Sequence, residues 1–416
     1  MTHAPPPGGK DTHVLFFTQW FDPEPAMRGA HFVRELARDC GRVEVITGFP
    51  NYPGGEIYPG YKIKLLQSEQ ADGYSLKRLP LYPSHNNRAL HRIANYLSFM
   101  VSVFVYALFA LRRAEVVYVY HPPLTVGLAV AVANLIHRKP LVLDIQDLWP
   151  DTLSATGMIT NAGVLAMVGT AANWLYRRCS RIIVLSPGFR ERLIERGVPA
   201  DKLVRIYNWA PDEDASLTEP PTEAVYTLRK DKFNIVYAGN MGPAQGLLPL
   251  LPALAALQGV GAKVHFTFIG GGLQVEEIRR FAATHRLDNL TLYPPVPHTQ
   301  IGAILQQADA LLVSLNRDPL FDITIPSKLM SYLNAGKPII GALRGDAGAL
   351  VALAGAGIPV IPEDAASFEA AVTTLASLDH TERKALGANA RGYYSAHLSM
   401  AAGTSRIAKV LRSVVP

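Results

Sequence analysis

Lys328 belongs to the stretch Ile325-Pro-Ser-Lys-Leu-Met-Ser331, which reads as a loop opening directly into a helix. Pro326 suits the first turn, because its missing N–H would have no helical partner there in any case. Gly336 then closes the helix, and Lys337-Pro338 leads into an apolar strand. A lysine in the first turn has the wrong sign for the helix dipole, at a cost of up to about 1 kcal/mol. A phosphate bound at the same place removes the conflict, since backbone N–H groups and the ammonium converge on it. The plainer alternative is a solvated lysine on a surface helix.

Two glycine loops join this turn. The apolar run Phe233–Ala238 ends in Gly239-Asn240-Met241-Gly242-Pro243-Ala244-Gln245-Gly246, and Val264–Ile269 ends in Gly270-Gly271-Gly272. Glycine lets backbone N–H groups approach a phosphate, although strand-to-helix turns use glycine for other reasons too. Three such turns on one sheet edge imply a nucleotide. Neither G-x-G-x-x-G nor the P-loop pattern is met, so NAD and ATP chemistry are not implied.

A second group of candidates lies in the first half. The strand at 116–120 delivers His121-Pro-Pro, and Leu141–Ile145 delivers Asp144-Ile-Gln-Asp147-Leu-Trp-Pro-Asp151. His121 is read as a proton shuttle, a substrate ligand or a cap on the next helix. Asp144 and Asp147 alternate poorly for one face, so a carboxylate pair is not expected. Asp147 is the candidate for gripping a hydroxyl, and Asp151 for a helix cap. Arg28, in the loop from Asp22 that continues into Gly29, is either an anion clamp or an ordinary surface arginine. Asp212-Glu213-Asp214 matches a D-x-D metal pattern but sits in acidic, solvated surroundings. No His/Cys spacing fits zinc, and no metal is expected.

The elements that must carry these residues alternate along the chain. Short apolar strands at 14–17, 43–47, 116–120, Leu141–Ile145 and 181–185 are separated by helical runs, beginning with one at 26–38. After a Pro- and Glu-rich stretch the alternation restarts with Phe233–Ala238, Val264–Ile269, Leu290–Tyr293, Ala310–Ser314, 338–341 and 359–361. That pattern predicts two doubly wound parallel sheets, each covered on both faces, with ligand at the carboxyl ends of the strands in a cleft between them. The expected division is a tail at 1–10, a first domain at 11–212, a linker at 213–230 and a second domain at 231–396. A terminal helix at 397–416 is expected to pack back on the first domain.

A chain of 416 residues is too long for one core. Its net charge of +6 favours an anionic partner, yet basic runs interleaved with aromatics are absent, so nucleic acid is not expected. Two cysteines, Cys40 and Cys179, fit a reducing compartment. No apolar leader follows Met1. The run at 96–111 is apolar all round, with Arg88, His91, Arg92, Arg112 and Arg113 at its ends. Sixteen residues fall short of a roughly 30 Å hydrocarbon core, so it is expected either to pack on the first sheet or to seat at a bilayer surface.

The chain resembles, from about Thr12 to Val414, a retaining glycosyltransferase of family 4 with the GT-B fold. It is most similar to the bacterial surface-polysaccharide branch related to the fucosamine transferases of O-antigen and capsule assembly. The matching stretches are Gly48-Phe-Pro-Asn-Tyr-Pro-Gly-Gly55, Asp144-Ile-Gln-Asp-Leu-Trp-Pro150, Ile182-Ile-Val-Leu-Ser-Pro187, Ile206-Tyr-Asn-Trp209, Tyr237-Ala-Gly-Asn-Met-Gly242 and Ile325-Pro-Ser-Lys328 through Pro338. The resemblance implies transfer of a sugar, N-acetylated, from a UDP-sugar to a polyprenyl-phosphate-linked acceptor at the cytoplasmic face of the inner membrane, by a peripheral enzyme without a cofactor. Gly239, Asn240, Gly242, Ser327 and Lys328 would hold the donor's phosphates, and the Pro295-Val296-Pro297 turn would face its base. His121 and Asp147 would meet donor sugar or acceptor, with Arg28 and Gly29 near the diphosphate. The chain departs from the family at Ile323 and Ser331, where two glutamates are usual, at Gln245, where a basic residue is usual, and at Gln146, where a histidine is usual. A nucleotide-sugar-binding partner without catalysis, and a UDP-sugar 2-epimerase, are the alternatives.

Overall fold

The computed structural model describes residues 12–84, 89–155, 158–211, 226 and 228–416. The tail at 1–10, Arg88, the Asp212-Glu213-Asp214 run and most of the expected linker lie outside them. Two compact units are present: one reaches Tyr207 and takes in Gly403–Pro416, the other is Asn208–Ala402.

The first unit holds eight strands: β1 (Thr12–Phe17), β2 (Gly41–Gly48), β3 (Gln67–Ala71), β4 (Tyr74–Leu79), β5 (Val116–His121), β6 (Leu141–Ile145), β7 (Arg181–Val184) and β8 (Leu203–Arg205). Their order is β3-β4-β2-β1-β5-β6-β7-β8, parallel except for the β3–β4 hairpin at one edge. β1, β5 and β6 are buried at every position, as continuous apolar runs require when helices cover both faces. Phe16 stacks on Tyr118 at 4.9 Å, and Phe32 of the helix Ala30–Cys40 meets Phe16 edge-on at 6.1 Å. The strand order reverses between β1 and β5, so the loops after those strands diverge and leave a crevice at their carboxyl ends.

The second unit holds six parallel strands: β9 (Phe233–Ala238), β10 (Val264–Ile269), β11 (Leu290–Tyr293), β12 (Ala310–Ser314), β13 (Ile339–Ala342) and β14 (Gly357–Val360). Their order is β11-β10-β9-β12-β13-β14, with the reversal between β9 and β12. Leu254, Phe266, Phe268 and Phe368 lie in its core. The last helix, Met400–Ser413, buries Ile407 and Leu411, and Arg412 donates to the Asp39 carbonyl of the first unit at 3.1 Å.

Two expectations need correcting. The first helix begins at Ala30 rather than 26, because Pro25 and the preceding turn stay in the loop. The apolar helix runs from Ala89 to Ala110, six residues longer than the apolar run suggested. At 1.5 Å per residue its 22 residues reach about 33 Å, so length does not exclude spanning. What it packs against decides the matter, as set out below.

Candidate active site

In the second unit, β9 and β12 pair only as far as Val236 and Leu311. Beyond that point they splay, and the Ala238 N–H finds the Tyr332 hydroxyl at 2.9 Å instead of a neighbouring strand. Tyr332 lies one helical turn after Lys328 in the helix Ser327–Ala335, so this bond docks the helix against β9. Pro326 is the N-cap residue, and Gly336 closes the helix with φ 66°, in the left-handed region. Ser327 is exposed at the first helical position, and Ser331 lies half-buried further along.

The same docking brings Lys328 to the first glycine loop. Its ammonium donates to the Tyr237 hydroxyl at 2.6 Å and stands 4.0 Å from the centre of that ring. A Cβ on Gly239 would come within 3.1 Å of the Lys328 Nζ, so the bare glycine leaves room for the ammonium. Tyr237 in turn donates to the Asn240 carbonyl. Burial pushes the Lys328 amine down to about 7. Lysine, tyrosine and loop thus form one unit. A group that favours a bound anion is held with little solvent to compete for it.

The glycines of the second loop have a different cause. A Cβ on Gly270 would lie 1.9 Å from the Gly239 carbonyl oxygen, and one on Gly272 2.4 Å from that of Met241. Met241 N–H donates to the Gly271 carbonyl at 2.6 Å, and Gln274 N–H to the Met241 carbonyl at 3.0 Å. Gly270 and Gly272 are therefore explained by the close approach of two loops to each other rather than of a loop to a ligand. Gly271 differs: its added Cβ would meet only Pro295 at 3.4 Å, which also puts the Pro295-Val296-Pro297 turn beside this loop.

Gln245 and Gly242 depart from expectation. The Gln245 side-chain Oε1 accepts from the Gly242 N–H at 3.0 Å and from the Asn240 side-chain amide at 3.1 Å. Gln245 braces the loop from inside, and the Gly242 N–H is engaged within the protein. Asn316, which follows β12, ties the loop from the other side: its N–H donates to the Ala244 carbonyl at 3.0 Å.

In the first unit Arg28 is fully buried, and its Nε lies 3.0 Å from the Asp144 carboxylate. Asp144 also accepts from the Tyr118 hydroxyl at 2.6 Å and from the Gln146 amide at 2.7 Å. Asp144 and Tyr118 hold the guanidinium well above its ordinary pKa despite burial. Neither an open anion clamp nor a surface arginine describes this residue: it is half of a buried ion pair with Asp144 of β6. Gly29 likewise has an internal cause. An added Cβ would fall 2.5 Å from an Asp22 carboxylate oxygen, the same oxygen that accepts from the Ala30 N–H at 2.6 Å. Asp22 therefore occupies that helix end.

His121 ends β5 fully buried, with the Trp149 ring edge-on at 5.9 Å. Its carbonyl accepts from the Gln146 N–H at 2.8 Å, which joins it to the segment carrying Asp147. Neither imidazole nitrogen reaches another residue's hydrogen-bonding group among the described residues. Burial drives its pKa down to about 4, so the ring is neutral at physiological pH. Asp147 is half-buried, and burial raises its carboxyl's pKa. Asp151 is not the expected helix cap: it is the first residue within the short helix Asp151–Ala155, and its carboxylate pairs with Arg192 and Arg196. Among the described residues no three His, Cys, Asp or Glu side chains gather as a metal site.

Three participants were not read from the sequence. Tyr237 stands inside a quoted motif, but nothing local marks its hydroxyl as the lysine's partner. Glu24 is buried and accepts from the N–H groups of Asn51 at 2.6 Å and Tyr52 at 2.7 Å, which joins the loops after β1 and β2. Asn95 accepts from the Gln19 amide at 2.6 Å and donates to the Asn51 side chain at 3.2 Å, tying the long apolar helix to the same loops.

Residues 25–209 match the family model described as a glycosyl transferase 4-like domain, and residues 220–393 that of glycosyl transferases group 1. A probable glycosyltransferase of Pseudomonas aeruginosa, WbjE, is 25% identical over 212 residues, which are 49% of this chain and 51% of WbjE. The match thus spans about half the length of that curated relative. HepE from Anabaena, solved in complex with UDP, superposes with a TM-score of 0.66 at 18% identity, covering 96% of this chain and 99% of its own. Sucrose-phosphate synthase from Thermosynechococcus elongatus gives 0.68 at 15% identity, covering 97% and 98%. At such identities the likeness concerns the fold, which is GT-B.

Proposed function

We propose, from a chain whose two domains are those of a GT-B glycosyltransferase, that the protein transfers a sugar from a UDP-sugar to a lipid-linked acceptor, with retention of anomeric configuration. The observation that carries this proposal is the convergence of Lys328 and Tyr237 with the Gly239–Asn240 turn at the carboxyl end of β9. Support for the uridine comes from HepE, which has been solved with UDP and with UDP-glucose. Cleavage of the donor builds about one further negative charge on the leaving diphosphate. The Lys328 ammonium and the N-terminus of the helix Ser327–Ala335 are the groups placed to stabilise it.

Retention requires a proton to leave the acceptor hydroxyl on the face from which the diphosphate departs. The leaving phosphate oxygen is itself basic enough to take that proton. Asp147 and His121 then bind and orient hydroxyl groups, and His121 does so as a neutral ring. An N-acetylated sugar, a polyprenyl-phosphate-linked acceptor and a place in surface-polysaccharide assembly complete the proposal.

The test is transfer of labelled sugar in extracts supplied with UDP-sugars and polyprenyl-phosphate-linked acceptors. Lys328→Ala should lower kcat/KM at least about a hundredfold, or 2.7 kcal/mol of transition-state stabilisation. A loss below tenfold sinks the role given to Lys328. Conversion of the UDP-sugar to its 2-epimer without any acceptor points instead to an epimerase. Tight UDP binding without turnover, under every acceptor tried, points to a binding partner.

A further inference from the structure

The helix Ala89–Ala110 carries two apolar stripes back to back. Phe99, Val103 and Ala107 recur every four residues and are fully buried. Ile93, Leu97, Val101, Val105 and Phe109 recur at the same interval and are 48% to 68% exposed. Two residues turn a helix by about 200°, so the second stripe faces away from the first. A surface helix ordinarily places polar residues there. The helix Leu124–His137 extends the exposed stripe through Leu135 and Ile136. Its His137 ring meets the Leu108 carbonyl at 2.8 Å, which brings those residues to the Phe109 end.

The two helices that form this face carry charge of one sign. No aspartate or glutamate occurs from Ala89 to Arg113 or from Leu124 to Lys139. The two segments end in Arg112-Arg113 and Arg138-Lys139, and Arg92 stands at the opposite end. Arg113 is paired with Glu44, whereas Arg112 and Arg138 are exposed. We propose that this two-helix face lies on an anionic bilayer, its apolar stripe at the level of the upper acyl chains and Arg92, Arg112 and Arg138 at the lipid phosphates. Lipid as the occupant rests on the lipid-linked acceptor of the function proposed above.

Two other arrangements fit less well. The buried side of the helix is committed to the first unit through polar contacts along its length. Asn95 bonds Gln19, Asn51 and the Tyr82 carbonyl; Ser102 donates to the Pro80 carbonyl at 2.7 Å, and Tyr106 to Glu44 at 2.8 Å. A helix with one face in a sheet domain cannot be ringed by hydrocarbon, so it lies flat rather than spanning. A second copy docked on the same face would set two acid-free, basic-rimmed surfaces together, with no carboxylate from either helix to neutralise the rims.

The test is flotation of the full chain with phosphatidylglycerol–phosphatidylcholine vesicles and with phosphatidylcholine alone, with UDP binding read by calorimetry on the same preparations. Wild type should float with the anionic vesicles at least about tenfold better than with neutral ones. Val101→Asp/Val105→Asp, at exposed positions, should stay in the soluble fraction while binding UDP normally. Should that variant misfold, Arg112→Glu/Arg138→Glu replaces it and should lose the anionic preference. Wild type that stays unbound, or flotation that a folded variant retains, overturns the proposal. So does a dimer in light scattering that the aspartates dissolve. A chain that floats but binds no UDP removes the donor assignment alone, and one that binds UDP but does not float removes this inference alone.

Discussion

The Lys328 ammonium stands 2.6 Å from the Tyr237 hydroxyl, at the hydroxyl edge of the ring and 4.0 Å from its centre. Burial lowers the lysine's pKa to about 7, whereas a bound diphosphate favours the charged form and raises it again. Above pH 7 the unliganded amine is mostly neutral, so donor binding must take up a proton. Calorimetry at pH 8, in buffers of different ionisation heat, should show uptake of about one proton per UDP bound. Affinity should fall by up to roughly tenfold per pH unit above that point. Lys328→Met should abolish the uptake, and wild-type binding without any proton exchange would separate Lys328 from the phosphates.

Adjacent glycines should respond differently to the same methyl group. Gly270 has φ 145° and no room beside the Gly239 carbonyl, whereas Gly271 has only Pro295 in ordinary contact. Gly270→Ala should destabilise the second unit by about 2–4 kcal/mol and cost most of its UDP affinity, and Gly271→Ala should stay within about 0.5 kcal/mol. Thermal unfolding and UDP titration of the two variants make the comparison. Equal tolerance would show that the two loops do not need their close approach.

Arg28 and Asp144 are both fully buried. Removing one partner leaves an uncompensated charge in the core, so Asp144→Ala should cost about 3–5 kcal/mol in denaturant unfolding. The double replacement Arg28→Met/Asp144→Leu removes both charges and should recover most of that loss. If the double variant is as unstable as the single one, the loss comes from Tyr118 and packing rather than from the orphaned guanidinium.

His121 contributes a pH dependence of definite sign. Its pKa falls from 6.5 to about 4 on folding because of burial. Between those values the unfolded chain binds the extra proton, so stability declines as pH drops from 6.5 towards 4 and is unaffected above 6.5. The decline amounts to about 3 kcal/mol at most. Replacing His121 with phenylalanine should flatten the curve of unfolding free energy against pH over that window. A curve unchanged by the substitution would assign the acid sensitivity elsewhere.

Strands buried on both faces announce themselves as largely apolar runs, which is why β1, β5, β6, β9, β10 and β12 could be read directly. The helix at Ser327–Ala335 was equally legible, with its proline at the start and Gly336 at the end. The β3–β4 hairpin was missed although Asp72-Gly73 marks its turn, because β3 is a short polar edge strand and β4 interrupts its apolar residues with Ser75, Lys77 and Arg78. The long apolar helix hid its own start, since a segment greasy on both sides has no polar face to define its register.

Pairing was the harder part. Arg28 and Asp144 are 116 residues apart, and nothing in either neighbourhood names the other. Gly270 and Gly272, expected to let a phosphate come close, do stand where nothing larger than glycine fits, whereas Gly271 does not. What approaches Gly270 and Gly272 is another stretch of the same chain, and one sequence holds no record of that. Gln245 shows the same difficulty from the other direction, for an amide that could face a ligand instead braces its own turn.

Asn95 grips Gln19 and Asn51 from the inner side of a helix whose outer side is bare hydrocarbon. Pressure on that outer side is therefore delivered, within one helix diameter, to the segments bounding the mouth of the first sheet. The polypeptide would then have different Michaelis constants in micelles and on flat lipid, with no change in any residue that touches the sugar.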